Sequence, residues 1–313
     1  MTLAKALEDY LTARHALGYK LRQATRTLPK FVDFLERKKK PCITTQLALE
    51  WAQEDPGASP VTRADRLTMV RRFAAWRSAA DPHTEIPPPG LLLRRYRRPV
   101  PYIYSTDEVR RILTAALSLP SMRGLRGPTC FTLFGLLAVT GMRVAEATSL
   151  DRDDVDLKEG VIAIRHGKSG KSRFVPIHTT TRDNLQSYAR KRNAVFPRPK
   201  TPAFFISERG RRVSPWCADD NFAEVSRRIG LRPKTSRRFG HGPRLHDLRH
   251  RFAVTTLIRW YRSGADVERE MPKLATYLGH ARVVDTYWYL QAIPELLNLA
   301  TKRSQRVAKE DAR

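Results

Sequence analysis

VIAIRHGKSGKSRFVPI, residues 161–177, is the stretch that decides the architecture. Its two arms, 161–166 and 172–177, are rich in β-branched and aromatic residues. Residues 167–170 between them carry two glycines and supply a turn. The stretch reads as a β-hairpin. On either side, apolar residues recur at helical spacing instead. The chain is therefore expected to be mainly α with a small β-hairpin or sheet, an α+β arrangement.

Upstream of the hairpin, Ser105-Thr106-Asp107-Glu108 is a helix-start signal, and helices follow to about Leu150. The apolar run from Cys130 to Met142 is too short for a membrane span and reads as a core helix. Further upstream, DPHTEIPPPG (81–90) cannot be helix or central strand. The basic LLLRRYRRPVPYIYS (91–105) follows it as an extended connection, read as suited to an anionic partner or as a solvated basic loop. The first eighty residues read as four helices, near 3–11, 23–38, 45–53 and 61–80. Phe31, Phe34 and Leu35 lie on one side of the second, and Val70, Phe73 and Trp76 on one side of the fourth. Pro41 stops the second, and Thr44-Thr45 caps the third. The expected domains are a helical bundle over 1–97, a linker over 98–104 and a larger domain over 105–313. Downstream of the hairpin, AFFIS (203–207) reads as another strand. Ser214-Pro215 starts a helix that Gly230 ends, and RPKTSRRFGHGP (232–243) is a basic loop.

The 313 residues carry 58 Lys+Arg against 31 Asp+Glu, a net charge of +27. Such an excess is costly unless it meets a polyanion. Residues 1–100 hold 19 basic and 10 acidic residues, and the rest hold 39 and 21, so net +9 and +18 fall on the two parts. Both parts are expected to touch that polyanionic partner. Cys42, Cys130 and Cys217 lie far apart, with no CxxC spacing for zinc and no disulfide framework. That fits a reducing cytoplasm. MTLAKALEDY is amphipathic and does not read as a signal peptide. No membrane partner, cofactor or metal is expected.

Four motifs carry chemistry. AVTGMRVAEATSL (138–150) places Arg143 at a helix start, where an anion is favoured, with Glu146 one turn on to hold it. The hairpin turn presents Lys168, with Lys171 a competitor. RLHDLRHRFA (244–253) places His246 and Arg249 on one helix face, with His250 and Arg251 expected to point elsewhere. YLGHARVVDTYWYL (277–290) holds His280, Tyr287 and Tyr289. Gly279 is expected to let backbone pass close to another group, such as a phosphate. Tyrosines two apart on a helix point roughly 200° apart, so one faces a phosphate while the other joins Trp288 in the core. Arginines grip a phosphate with forked hydrogen bonds, a lysine or histidine moves a proton, and a tyrosine takes a phosphoryl group.

In this order the four motifs resemble the tyrosine recombinase (phage integrase) family over about residues 105–295. The N-terminal helices look like that family's core-binding domain, a DNA clamp. The resemblance implies a site-specific recombinase, with Arg143, Lys168, His246, Arg249, His280 and Tyr289 as the catalytic set and Glu146 in support. Tyr289, nine residues after His280, is favoured over Tyr287 as nucleophile. The TYWYL variant looks like recombinases of transposons and plasmids. Between 264–266 and LGH the chain is a few residues longer than Xer-type relatives, and Pro272 lies within, which leaves the local helix geometry open but not the motif.

The implied reaction breaks and rejoins DNA through a 3′-phosphotyrosine, without ATP or a divalent ion. The implied assembly is a tetramer on DNA in the cytoplasm, at the nucleoid. The segment ELLNLATKRSQRVAKE (295–310) is expected to dock on a neighbouring protomer. Three other readings share parts of this logic. They are a type IB topoisomerase, a hairpin-forming telomere resolvase and a DNA-binding regulator with a silent site.

Overall fold

The computed structural model describes residues 2–93, 100–165, 172–233 and 242–311. The chain divides into two compact units, Met1–Pro99 and Val100–Arg313. The boundary falls inside the segment read from sequence as a linker. Tyr104, near that segment's end, is buried in the second unit and donates its hydroxyl hydrogen to Arg244 O at 2.9 Å.

The first unit holds α1 (Leu3–Ala16), α2 (Arg22–Arg37), α3 (Thr45–Gln53) and α4 (Pro60–Arg77). The side chains of Thr2, Thr44 and Ser59 accept from the first-turn amides of α1, α3 and α4. Pro60 opens α4, where its missing N–H costs nothing. Leu28, Phe31, Leu35, Ile43, Val70 and Phe73 are fully buried and form this unit's core. α2 stops before Pro41. Lys39 adopts a positive φ of 54° and turns the chain first.

The second unit begins with α5 (Thr106–Leu117), whose Ser105 and Glu108 form the reciprocal cap that the sequence indicates. α6 (Arg126–Thr140) is the buried apolar helix, and Gly141 ends it in a left-handed conformation. α7 (Val144–Ser149) and a 3-10 turn at Arg152–Asp154 lead into the sheet. β1 (Val155–Asp156), β2 (Val161–Ile164) and β3 (Arg173–Pro176) pair antiparallel in the order β1-β2-β3. Ile162 faces Val175, and Ile164 faces Arg173. The two arms of the hairpin read from sequence pair as β2 and β3, with the short β1 added at the edge, while the turn at 167–170 lies outside the described residues.

AFFIS does not join this sheet. Only single bridges, Asp151 to Ala203 and Ile206 to Arg212, form there. Phe204 and Phe205 are both buried, so the segment lacks the alternation of a half-buried strand. Its amides are satisfied singly instead: Phe204 donates to Leu150 O and Ile206 to the Tyr188 hydroxyl.

α8 (Thr179–Val195), α9 (Pro215–Arg228), α10 (Asp247–Ser263), α11 (Val267–Leu278), α12 (Val284–Ala292) and α13 (Pro294–Asp311) complete the unit. Pro272 lies within α11 without ending it, one turn and a half after the start at Val267. α13 packs on α10 and α12 of its own unit. Leu296 is fully buried, and Arg262 bonds Glu295 at 2.9 Å. The apolar turn of α13 thus lies against its own unit. No helix among the described residues is long and apolar enough to cross a membrane.

Candidate active site

The C-terminal end of α11 organises the site. The last carbonyls of a helix have no partner within it, and they carry the negative end of its dipole. Here three successive carbonyls each receive a different arginine. Arg173 Nε donates to Tyr277 O at 2.7 Å, Arg249 Nη2 to Leu278 O at 2.8 Å and Arg143 Nη2 to Gly279 O at 2.8 Å. Gly279 is left-handed (φ 67°), and a Cβ there would sit 2.6 Å from Arg173 Nη1. The close approach expected of Gly279 is thus made to arginine side chains. Arg249 is buried and also donates Nη1 to Gly141 O at 2.7 Å.

Arg143 occupies the N-cap of α7. Its amide donates to Glu146 Oε2 at 3.0 Å and its Nη1 to Oε1 at 2.8 Å. The same carboxylate receives Arg173 Nη2 at 2.8 Å and Nη1 at 3.2 Å. Burial of Glu146 works against its ionisation. The Arg173 and Arg143 hydrogen bonds outweigh that and hold the carboxyl down at about 2. Burial, then the neighbouring Arg143 cation, lower Arg249 to about 10, so it stays charged at neutral pH.

Tyr289 is buried, and its hydroxyl lies 2.8 Å from His250 Nδ1. Tyr287, by contrast, is exposed. The tyrosine in the core is therefore the one favoured as nucleophile, and Trp288 packs edge-on against it at 5.3 Å. His250 does not point elsewhere, as the sequence suggested. α10 turns its ring onto Tyr289, and the His246 ring stands edge-on to His250 at 5.0 Å. These histidines are four apart, hence on one helix face. Arg251 does leave this face and donates to Tyr104 O. Desolvation by the surrounding atoms, then the Arg249 cation, lower the His246 pKa and favour a neutral ring at pH 7. The residue keeps an exposed edge, which leaves it reachable. His280 Nδ1 lies 2.6 Å from the buried Thr286 hydroxyl, which orients its ring.

Arg143, Arg249 and Glu146 thus meet at the end of α11, and His280 follows that end in sequence. His246 and Tyr289 are linked through His250. Lys168 and Lys171 lie outside the described residues. Two residues of the constellation escaped the sequence reading, Arg173 and His250. Strand alternation holds a signal for the first. Arg173 shares its face with the buried Val175, while Phe174 points outward and is 74% exposed. An inward arginine beside an outward phenylalanine inverts the usual pattern. The four-residue step from His246 is the signal for the second.

Residues 104–295 match the family model described as "Phage integrase family". A Sinorhizobium fredii (strain NBRC 101917 / NGR234) protein named "Putative integrase/recombinase y4rB" is 46% identical over 309 residues, 97% of this chain and 98% of that one. The chain belongs to the phage integrase family. The tyrosine recombinase XerD of Bifidobacterium longum (strain NCC 2705) is 28% identical over 86% of this chain and 85% of its own. Among solved structures, the Tn1549 transposon integrase in complex with transposon right end DNA shares the fold. Its TM-score is 0.65 at 16% identity, covering 98% of this chain and all of that one. This tyrosine recombinase is a site-specific recombinase enzyme. The topoisomerase and silent-regulator readings are not favoured.

Proposed function

We propose that this recombinase cuts and rejoins double-stranded DNA through a 3′-phosphotyrosine on Tyr289. The observation that carries the reading is the anchoring of Arg143 and Arg249 on the adjacent carbonyls of Gly279 and Leu278. Two guanidinium groups fixed side by side suit the non-bridging oxygens of one phosphate and the charge that grows on them in the transition state. His280 donates a further hydrogen bond to that phosphate. As Tyr289 Oη bonds to phosphorus, the bond to the 5′-oxygen breaks, and Lys168 protonates the leaving oxygen. The tyrosine proton passes to the imidazole system facing it, His250 with His246 edge-on. Attack by a 5′-hydroxyl from a second duplex reverses the step and exchanges strands. The phosphodiester energy is retained, so ATP is not consumed, and fixed cations stand where a metal-dependent enzyme places its ions.

Burial of Tyr289 implies that DNA binding repacks α12 to bring the hydroxyl to the phosphate. Charge supports clamping by both parts of the chain, 1–97 as a core-binding domain and 105–313 as the catalytic domain, joined by 98–104. Exchange between two duplexes cuts four strands and calls for a tetramer. α13 would then leave its own groove for a neighbour's, and the protein would work at the nucleoid. The test is a nicked suicide substrate that traps the covalent complex. Mapping should find the 3′ end of DNA on Tyr289, and a 5′ linkage or another residue would overturn the reading.

A further inference from the structure

Arg173 belongs to none of the motifs that mark the site, yet its side chain donates three hydrogen bonds to the site's frame, against two from the side chain of Arg143. Its side chain is only 10% exposed. It reaches the frame from β3, immediately beyond the hairpin segment that carries Lys168. Three donors are committed: Nη1 and Nη2 to the two oxygens of Glu146, and Nε to Tyr277 O. Glu146 in turn holds both the backbone amide and the guanidinium of Arg143. The carboxylate is 6% exposed, so water cannot replace a lost partner without rearrangement.

A carboxylate pulled by one arginine alone can pivot about that bond. With a second arginine gripping both oxygens in the plane of the fork, its orientation is set. The Nε bond to Tyr277 O ties the same guanidinium to the α11 end, where Arg249 and Arg143 are also held. Arg173 thereby fixes the spacing between the carboxylate that aims Arg143 and the carbonyls that receive both phosphate-facing arginines. A small misplacement of such a group costs rate rather than binding.

We infer that Arg173 is a positioning residue that holds Arg143 in its phosphate-binding orientation through the shared Glu146 carboxylate. The inference rests on Arg143 being a phosphate ligand. The test compares cleavage of a suicide substrate having a normal scissile phosphate with one having a methylphosphonate there. The methyl group removes one non-bridging oxygen and its charge, so the transition state relies less on an arginine.

Arg173→Met is expected to cut the cleavage rate on phosphate by about 10²-fold, with DNA affinity unchanged, as for a displaced catalytic group. On methylphosphonate the loss should be under about tenfold, as should that of Arg143→Ala, since less charge remains to be met. Arg173→Lys keeps the charge without the fork and should show the same pattern more weakly, which decides the matter if the methionine variant does not fold. Equal losses on both substrates, or no loss on phosphate, would overturn the inference. If Arg143→Ala cleaves phosphate normally, the role of Arg143 falls and this one with it. A defect in Arg143→Ala without one in the Arg173 variants would overturn this inference alone.

Discussion

Tyr289 Oη and His250 Nδ1 lie 2.8 Å apart inside the core formed by α10, α11, α12 and α13. A buried hydroxyl needs such a partner, since an unmet one costs about 1–3 kcal/mol. The pair therefore ties α12 to α10, and on the proposed reading it also sets an imidazole beside the attacking tyrosine. Tyr289→Phe should abolish covalent attachment to DNA while leaving DNA binding intact. Tyr287→Phe, at an exposed position, should retain attachment. Gel electrophoresis of protein trapped on a suicide substrate reads both, and attachment by the Tyr289 variant would refute the assignment.

The hydroxyl–imidazole contact should also be visible in stability. His250→Phe is expected to cost about 1–3 kcal/mol, the cost of removing one partner of a buried hydrogen bond. In a Tyr289→Phe background the same change should cost clearly less, because that bond is already gone. Urea unfolding of the four proteins gives the coupling. Additive losses would mean that the two groups do not share a bond in solution.

Glu146 makes a prediction about acid. Its folded pKa, at about 2, lies below the ordinary glutamate value. A depressed carboxylate contributes stability that is complete above its unfolded pKa and is lost as pH falls through the folded one. Wild type should therefore exceed Glu146→Gln by roughly 3 kcal/mol at neutral pH. The gap should close between the ordinary carboxylate range and about 2. Thermal unfolding across that window measures it. A gap that stays constant with pH would show that Glu146 is not ionised against the two arginines.

Cleavage should proceed in EDTA. On the proposed chemistry Arg143 and Arg249 neutralise the phosphate and histidines move the protons. A suicide-substrate assay with chelator, then with added magnesium, checks this. Activity that disappears and returns with magnesium would contradict the proposed chemistry.

DNA affinity should fall steeply with salt, because net +9 and +18 on the two parts displace counterions from many phosphates. Fragments 1–97 and 103–313 should each bind more weakly than the whole chain. Filter binding over a salt series is the measurement, and an unchanged affinity without the first fragment would contradict the clamp.

The elements that could be read before folding are those set by neighbours in sequence. Ser105 and Glu108 cap α5 because the two groups are three residues apart, and Thr44 caps α3 for the same reason. The hairpin shows itself in β-rich arms around a glycine turn. The four motifs likewise keep their residues within a few positions, so their order alone named the family.

What only the tertiary structure decided involves partners far apart along the chain. Helical spacing says that Tyr287 and Tyr289 face opposite ways, but not which way is inward, and packing against α10 buried Tyr289. AFFIS has strand composition, yet both its phenylalanines are drawn into the core and no sheet edge accepts it. Arg173 meets Glu146 across 27 residues and Tyr277 across 104, and Arg249 meets Gly141 across 108. No local pattern encodes such pairs. They exist because buried guanidinium groups must find acceptors, and folding brings the open end of α11 to where three of them lie.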